Sequence, residues 1–435
     1  MVHIINLRRL TARSHLYYMS LAVSPPLNEP MTAVSEVLHE RGLRPYSQVF
    51  APFLCGMFAF IDLYCTQPLL PLLATVFHAS EANVSLTISA STLGVALSAA
   101  LLAIFAERVD RKRMIVGSMT VLALCTLLTA TATSLPMLAV WRFLQGLVTP
   151  GIFIITIAYV TEEWPALLVP RVMSFYVAGT VFGGFLGRIL GGVIGAGYGW
   201  HTVFVALGLM GLGGATLTGW LLRPAQTTRA LVQPASKWAP LLNNLRNPRL
   251  LATFAIGFCM LFALVATFSY ITFYLAAAPF HLSTQQLSYL FTVYLCGLIT
   301  TLVAGTLLAR VGLRHGMITA IAFCMTGVGL TLVPSLWIVA LGLAIAGSGV
   351  FVAQTCANSF LRDAAPAGSR VSAAGMYICS YYIGGTVGGI LPGLLWKHGG
   401  WPGCVALVIG ILSIAGMAAV FGWRLRPPVP DPIPL

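Results

Sequence analysis

A single acid lies deep inside an apolar run of this chain. Asp62 stands in Phe58-Ala-Phe-Ile-Asp62-Leu-Tyr64-Cys-Thr-Gln67-Pro68, about thirteen residues past the start of the run. Burial favours a neutral carboxylic acid and a nearby cation favours the carboxylate, so an acid whose surroundings alternate between the two takes up and releases a proton. A candidate cation occurs in Trp141-Arg142-Phe143-Leu144-Gln145-Gly146, inside another apolar run. A guanidinium in hydrocarbon costs upward of about 2.5 kcal/mol, so it is expected to face a wet cavity or a counter-ion. Asp62 and Arg142 are therefore the expected proton-coupling pair. The alternatives are a solvated structural role for Asp62 and snorkelling of Arg142 to the headgroups. Pro68 and Pro71 disturb the helix just beyond Asp62 and free backbone carbonyls, which are tolerable only if buried or facing water.

The elements that hold these residues are membrane helices. Only 8% of the 435 residues are charged and 58% are hydrophobic, with a mean hydropathy of +0.89. No soluble domain could cover that balance with a water-facing surface. Segmentation at roughly 20 apolar residues per crossing predicts twelve spans, beginning near Val49, Asn83, Met114, Pro136, Val172, Thr202, Leu250, Leu287, Met317, Leu336, Val371 and Pro402. The chain also repeats itself at an offset of 201: Gly183, Gly184, Gly187, Gly192, Gly199 and Trp200 recur as Gly384, Gly385, Gly388, Gly393, Gly400 and Trp401. The expected fold is an all-α membrane protein of two pseudo-symmetric six-helix bundles, an architecture typical of secondary transporters.

The expected organisation is a disordered extension over 1–45, bundles over 46–222 and 250–424, a proline-rich linker over 223–249 and a tail over 425–435. Met31 is an alternative start to Met1. The formal charge of +13 is one-sided: of 24 Lys and Arg, all but Arg142, Arg188 and Lys397 fall in the terminal tails or in loops on one face. This positive-inside pattern puts both termini in the cytoplasm and argues against a nucleic acid partner. The nine cysteines show no metal-ligand or redox spacing and read as small packing residues; no metal and no cofactor is expected.

Dense charge follows the second span in Ala103-Ile-Phe-Ala-Glu107-Arg108-Val-Asp110-Arg111-Lys112-Arg113, and Arg310, Gly312 and Arg314 stand at the matching place in the second half. Ordinary cytoplasmic anchoring explains such charge. The spacing also resembles the loop motif of the major facilitator superfamily, which implies a cytoplasmic gate built on Glu107, Arg108, Arg111, Lys112, Arg310 and Arg314. Ala103, Glu107 and Asp110 depart from the usual residues, and Ala309 replaces the acid in the second copy. The Arg142-x-x-Gln145-Gly146 spacing is similar to the superfamily's fourth-helix motif. In the fifth span glycines recur at Gly179, Gly183, Gly187 and Gly191, giving a bare face for close helix packing, as do Gly384 and Gly388 in the eleventh. This run resembles the fifth-helix motif of the superfamily's antiporters, which implies export. Arg188 interrupts it and is left open between a cavity lining and a snorkelling role. Leu63–Pro71, Tyr159–Glu163, Gly183–Arg188 and Ser380–Gly384 together resemble the YnfM-type group of bacterial inner-membrane facilitators, near the drug:proton antiporters.

Candidate substrate ligands are Tyr64, Gln67, Arg142 and Gln145 in the first half, and Tyr270 with Tyr274, Gln354 with Asn358 and Tyr377 with Tyr381 in the second, each pair one turn apart. Interfacial anchoring is the alternative for single tyrosines. No metalloprotease, nucleophile-elbow or paired-aspartate pattern occurs, so an intramembrane enzyme is not expected. A channel or receptor would leave the duplication unexplained. The expected partners are the lipid bilayer, protons and a small-molecule substrate, for a monomer in a bacterial inner membrane. Proton-driven export is favoured, with proton-coupled uptake or uniport as the alternative.

Overall fold

The computed structural model describes residues 45–105, 110–165, 168–224, 239–366 and 369–424. The first span is α1 (Pro45–Ile61), a 3-10 turn at Gln67–Leu69 and α2 (Leu70–Val76). The remainder of the first half is α3 (Glu81–Phe105), α4 (Arg111–Thr129), α5 (Leu135–Val148) with α6 (Pro150–Glu163), α7 (Val169–Tyr198) and α8 (Trp200–Leu221). The second half comprises α9 (Ala239–Arg246), α10 (Pro248–Ala276), α11 (Thr284–Leu290) with α12 (Tyr294–Val311), α13 (Leu313–Leu330), α14 (Leu336–Ala364) and α15 (Arg370–Phe421). Among the described residues nine helices are long and apolar enough to cross a membrane. The last of these holds two crossings, and the broken first and eighth spans complete the twelve.

Local chemistry sets the helix ends. Asp110 caps α4 by accepting from Arg113 N at 2.8 Å, Asn247 caps α10 ahead of Pro248, and Ser283 with Gln286 forms a capping box on α11. Pro150 has no N–H to donate, and it divides the fourth span into α5 and α6. Gly199 (φ 83°) turns α7 into α8, and Gly400 (φ 53°, ψ −145°) breaks α15 into the eleventh and twelfth spans. These two corners are 201 residues apart. Part of the expected linker is helical: α9 docks through Asn244 Nδ2, which donates to Ser369 O at 3.2 Å. The expected N-terminal extension before Pro45 and the C-terminal tail from 425 lie outside the described residues.

The glycine runs are the seams of the bundles. A methyl added at Gly179, Gly183, Gly187 or Gly191 of α7 would strike the carbonyl oxygen of Phe53, Met57, Ile61 or Cys65 in the first span. On α15, Gly384 and Gly388 abut the carbonyls of Phe258 and Phe262 in α10. Met57 and Phe258, like Ile61 and Phe262, are separated by the same 201 residues. The sequence repeat is thus a repeat of one helix contact, in which bare backbones pack without intervening side chains.

The halves meet along α3 with α15 and along α7 with α11 and α12. Ser89 Oγ donates to Thr386 O at 2.9 Å, and the Thr92 and Thr386 hydroxyls lie 3.0 Å apart. Further along the same seam Gly393 abuts Ala82, while Gly192 abuts Ser288 across the other. These contacts gather toward the Glu81 end of α3 and the Tyr198 end of α7. The halves are closed there, at the end remote from the cationic loops.

Candidate functional site

Asp62 begins the break in the first span: α1 stops at Ile61 and residues 62–66 form turns before the 3-10 segment. The carbonyls released by that break are taken up by Arg142, which is fully buried in α5. Its Nη1 donates to Asp62 O at 2.8 Å and to Gln145 Oε1, its Nη2 to Leu63 O at 2.6 Å and its Nε to Thr87 O at 3.4 Å. Arg142 thus meets Asp62 through its main chain, and its charge lies within electrostatic reach of the carboxyl as well. The arginine binds the main chain of Asp62, because backbone acceptors in a low-dielectric interior demand partners as strongly as a side chain does. The carboxyl itself is 4% exposed, its Oδ1 has no partner, and the Thr126 hydroxyl of α4 lies beside it.

Gln145 completes this network inside the first half. Its Nε2 donates to the Thr126 and Thr129 hydroxyls at 2.8 and 3.2 Å. Arg142 and Gln145, both expected as substrate ligands, thus have their polar atoms engaged by the break after α1, by α3 and by α4. The arrangement places an acid with an unpartnered oxygen at a helix break, held by a cation that contacts the acid's own backbone.

Arg188 forms a second centre. It is 1% exposed, which excludes snorkelling. Nε donates to Gln67 Oε1 at 2.6 Å, Nη1 to Gly184 O at 2.6 Å and Nη2 to Tyr294 Oη at 3.2 Å. The guanidinium lies 4.2 Å from the Tyr294 ring centroid, 4.8 Å from that of Tyr64 and 5.3 Å from that of Phe291. Aromatic faces stabilise a desolvated cation by about 2 kcal/mol or more. Gln67 Nε2 continues to Ser269 Oγ at 3.2 Å, so the centre bridges both halves. Among the described residues Arg188 has no carboxylate partner. Sequence reasoning left Arg188 open and missed Tyr294; the available signal was a charge interrupting a glycine run, a second deep cation where the spans offer one deep acid, Asp62.

The tyrosines separate into two groups. Tyr377 and Tyr381 stack at 5.9 Å, Tyr381 meets Tyr382 edge-on at 5.5 Å, and Tyr382 approaches Phe153 of the first half at 6.2 Å. Tyr64 lies within electrostatic reach of Tyr381 and Tyr294, which joins this group to Arg188. Tyr270 and Tyr274 are not brought to it. Tyr270 Oη donates to Gly389 O at 2.9 Å beside Trp396, and Tyr274 packs on Phe280 and Trp401. Tyr274 belongs to an aromatic cluster within the second half, and Tyr270, packed on Phe273 and Trp396, reaches the seam beside Ser85 of α3. Gln354 is half-buried and Asn358 exposed on α14. A groove of about 490 Å³ between α3, α4 and the fourth span, beside the exposed Leu101 and Val121, meets neither centre.

Of the expected gate residues, Glu107 and Arg108 lie outside the described residues. Arg111 makes a bidentate ion pair with Glu162 at the end of α6, Nε to Oε2 at 3.1 Å and Nη2 to Oε1 at 3.0 Å. Lys112 is half-buried and Arg310 exposed, and Arg314 Nη2 donates to Val420 O at 3.1 Å.

Comparisons with known proteins agree with this architecture. The chain is 30% identical over 378 residues to the inner membrane transport protein YnfM of Escherichia coli strain K12, covering 86% of this chain and 90% of that protein. It is 27% identical over 384 residues to a transporter of Buchnera aphidicola from Schizaphis graminum, covering 88% and 93%. Its fold superposes on the inward-facing, unoccupied crystal structure of a bacterial homologue of the human lysosomal transporter Spinster, with a TM-score of 0.74, 17% identity and coverage of 88% and 98%. A mutant of the nucleoside transporter NupG superposes with a TM-score of 0.71, 15% identity and coverage of 87% and 100%. The family model described as Major Facilitator Superfamily matches residues 52–278 and 267–435, one match for each copy of the repeat. A duplicated bundle with glycine seams at one spacing, matched along nearly its whole length by transporters, makes this chain a multi-pass membrane transporter of the Major Facilitator Superfamily.

Proposed function

We propose that this transporter exchanges protons for a small amphipathic compound leaving the cytoplasm, by rocking of its two halves about the tyrosine-lined region between them. The observation that carries the reading is Asp62, a buried acid with an unpartnered carboxyl oxygen at the break of the first span. Rocking opens and closes the region between the halves, and so alters the access of water to that oxygen at the break of the first span. With both termini in the cytoplasm, as the cationic loops favour, the closed end is external and the exchange site faces inward. One charge crossing 100 mV is worth about 2.3 kcal/mol, enough for a gradient on the order of fifty-fold from voltage alone. Tyr64, Tyr377 and Tyr381 are the ligands of the compound, while Arg142 and Gln145 position the acid. Arg111 with Glu162 ties α4 to α6 at the cytoplasmic gate.

The test begins with compounds that raise the melting temperature of the purified protein. Their flux is then followed after a pH jump in inside-out vesicles. Asp62→Asn should abolish coupled transport while the protein stays folded. Wild-type pH dependence in that variant would remove Asp62 from the mechanism, and flux down the compound's own gradient without proton movement would make the protein a uniporter.

A further inference from the structure

Arg188 holds a full positive charge in the membrane interior, and the protein supplies aromatic faces and neutral acceptors where an anion would be expected. An arginine carries five N–H donors. Three bonds are made, to Gln67, Gly184 and Tyr294, which leaves one N–H on each terminal nitrogen uncommitted. The Nη1 side borders open space. A Cβ built on the buried Gly184 would meet nothing within 4 Å except Arg188 Nη1 itself, at 3.2 Å. The neighbouring Gly183 and Gly187 by contrast press directly on the first span.

Tyr64 lies within electrostatic reach of Arg188, and Tyr381 within reach of Tyr64 and Tyr294. Tyr377 Oη is buried without a partner, and among the described residues no hydrogen bond is made by the hydroxyls of Tyr64, Tyr381 or Tyr382. A phenol donates through its O–H as readily as it accepts. A cation with two spare donors beside the Tyr64 phenol is a receptor for an oxyanion, because charge-assisted hydrogen bonds gain about twice what neutral ones do. The rings beside those hydroxyls present apolar faces suited to the body of an amphipath.

We propose that the cargo carries one anionic head group, a carboxylate in the simplest case, that is received by the uncommitted guanidinium N–H groups of Arg188 with help from the Tyr64 and Tyr381 hydroxyls. The proposal rests on the reading of the tyrosine-lined region as the binding site. Tyr64 comes from the first half, Tyr294 and Tyr381 from the second. A bound carboxylate therefore contacts both halves and is sensed by their rocking.

The test is equilibrium binding, read as the melting temperature of the full-length protein in detergent. The probes are benzoate, phenylacetate, 2-naphthoate and decanoate, each set against its own amide and its own primary amine. At least one carboxylate should stabilise the wild-type protein saturably, at a concentration ~10-fold or more below that required by its amide, the equivalent of about 1.4 kcal/mol. Arg188→Gln should erase that preference and leave amide binding in place, and Arg188→Lys should retain part of it. The wild-type comparison of carboxylate with amide stands even if Arg188→Gln does not fold. Equal binding of acid and amide by every skeleton, or an undiminished preference in Arg188→Gln, would overturn the proposal. So would equal stabilisation by sodium chloride or phosphate, which would make Arg188 an inorganic-anion site. Binding in detergent needs neither a gradient nor Asp62, so failure here leaves proton exchange standing, and loss of pH-driven flux leaves the anion preference standing.

Discussion

Replacing Gly187 by alanine tests whether the glycine seam between α7 and α1 is a contact of backbones. The added methyl would sit against the Ile61 carbonyl, 2.8 Å from its carbon and 3.1 Å from Ile61 Cα. Relieving this requires the two helices to part by nearly an ångström. A radial gap of about 0.5–1 Å forfeits a quarter to a half of each van der Waals contact along the seam, and overpacking of this kind costs about 1–3 kcal/mol. Against it stands the gain of up to about 1 kcal/mol from alanine's higher helix propensity. Gly213 in α8, where an added methyl meets nothing within 4 Å, isolates that gain. The difference between Gly187→Ala and Gly213→Ala therefore reports the steric part alone, about 1–3 kcal/mol in favour of Gly213→Ala. On the scaling of about 2–4 °C per kcal/mol for domains of 150–250 residues, it should appear as a lower melting midpoint for Gly187→Ala in the same detergent. Gly388→Ala, pressed on Phe262, should fall with it. Equal midpoints for Gly187→Ala and Gly213→Ala would show that the seam is not tight, and the repeated contact would lose its physical basis.

Arg142→Met removes the guanidinium from the carbonyls of Leu63 and of Asp62, which keeps only the weak Cys65 thiol donor at 3.2 Å, and a buried acceptor left unpaired costs about 1–3 kcal/mol. Its melting midpoint should fall well below that of wild type, with Arg142→Lys between them; a Met variant as stable as wild type would deny the main-chain clamp. Joining the halves at their closed end should stop transport. With the Thr92 and Thr386 hydroxyls 3.0 Å apart, oxidation of Thr92→Cys paired with Thr386→Cys should halt substrate flux in vesicles, and dithiothreitol should restore it. Undiminished flux through the crosslinked protein would mean that this seam need not open.

The features legible in the sequence were those that depend on side-chain type at a fixed period. Gly183, Gly187, Gly384 and Gly388 declared both the duplication and the bare faces, since only glycine lets two helices meet at their backbones. Pro68 and Pro71 located the break in the first span. What escaped was the identity of the partners. Arg142 was legible as a buried cation near Asp62, but the carbonyls it binds are ones that every residue carries and no sequence displays. Gln145 turned toward Thr126 and Thr129 for the same reason: a helix register known to one residue still leaves open which neighbour that face meets. Tyr270 and Tyr274 share one face of α10, yet Trp396 and Trp401 from α15 occupy that face. Arg188 was visible as an exception to its motif, but its aromatic cage assembles from Tyr64, Phe291 and Tyr294, positions far apart along the chain.

Gly199 and Gly400 are each a corner one residue long, and a corner that short has no slack. When the tip of α7 swings, α8 must swing with it as the other arm of a stiff elbow, and the two arms of α15 obey the same geometry in the opposite lobe. The twelve crossings therefore have fewer independent moving parts than their number suggests. A few flexible residues spliced in at either corner would sever the linkage without touching a single polar group.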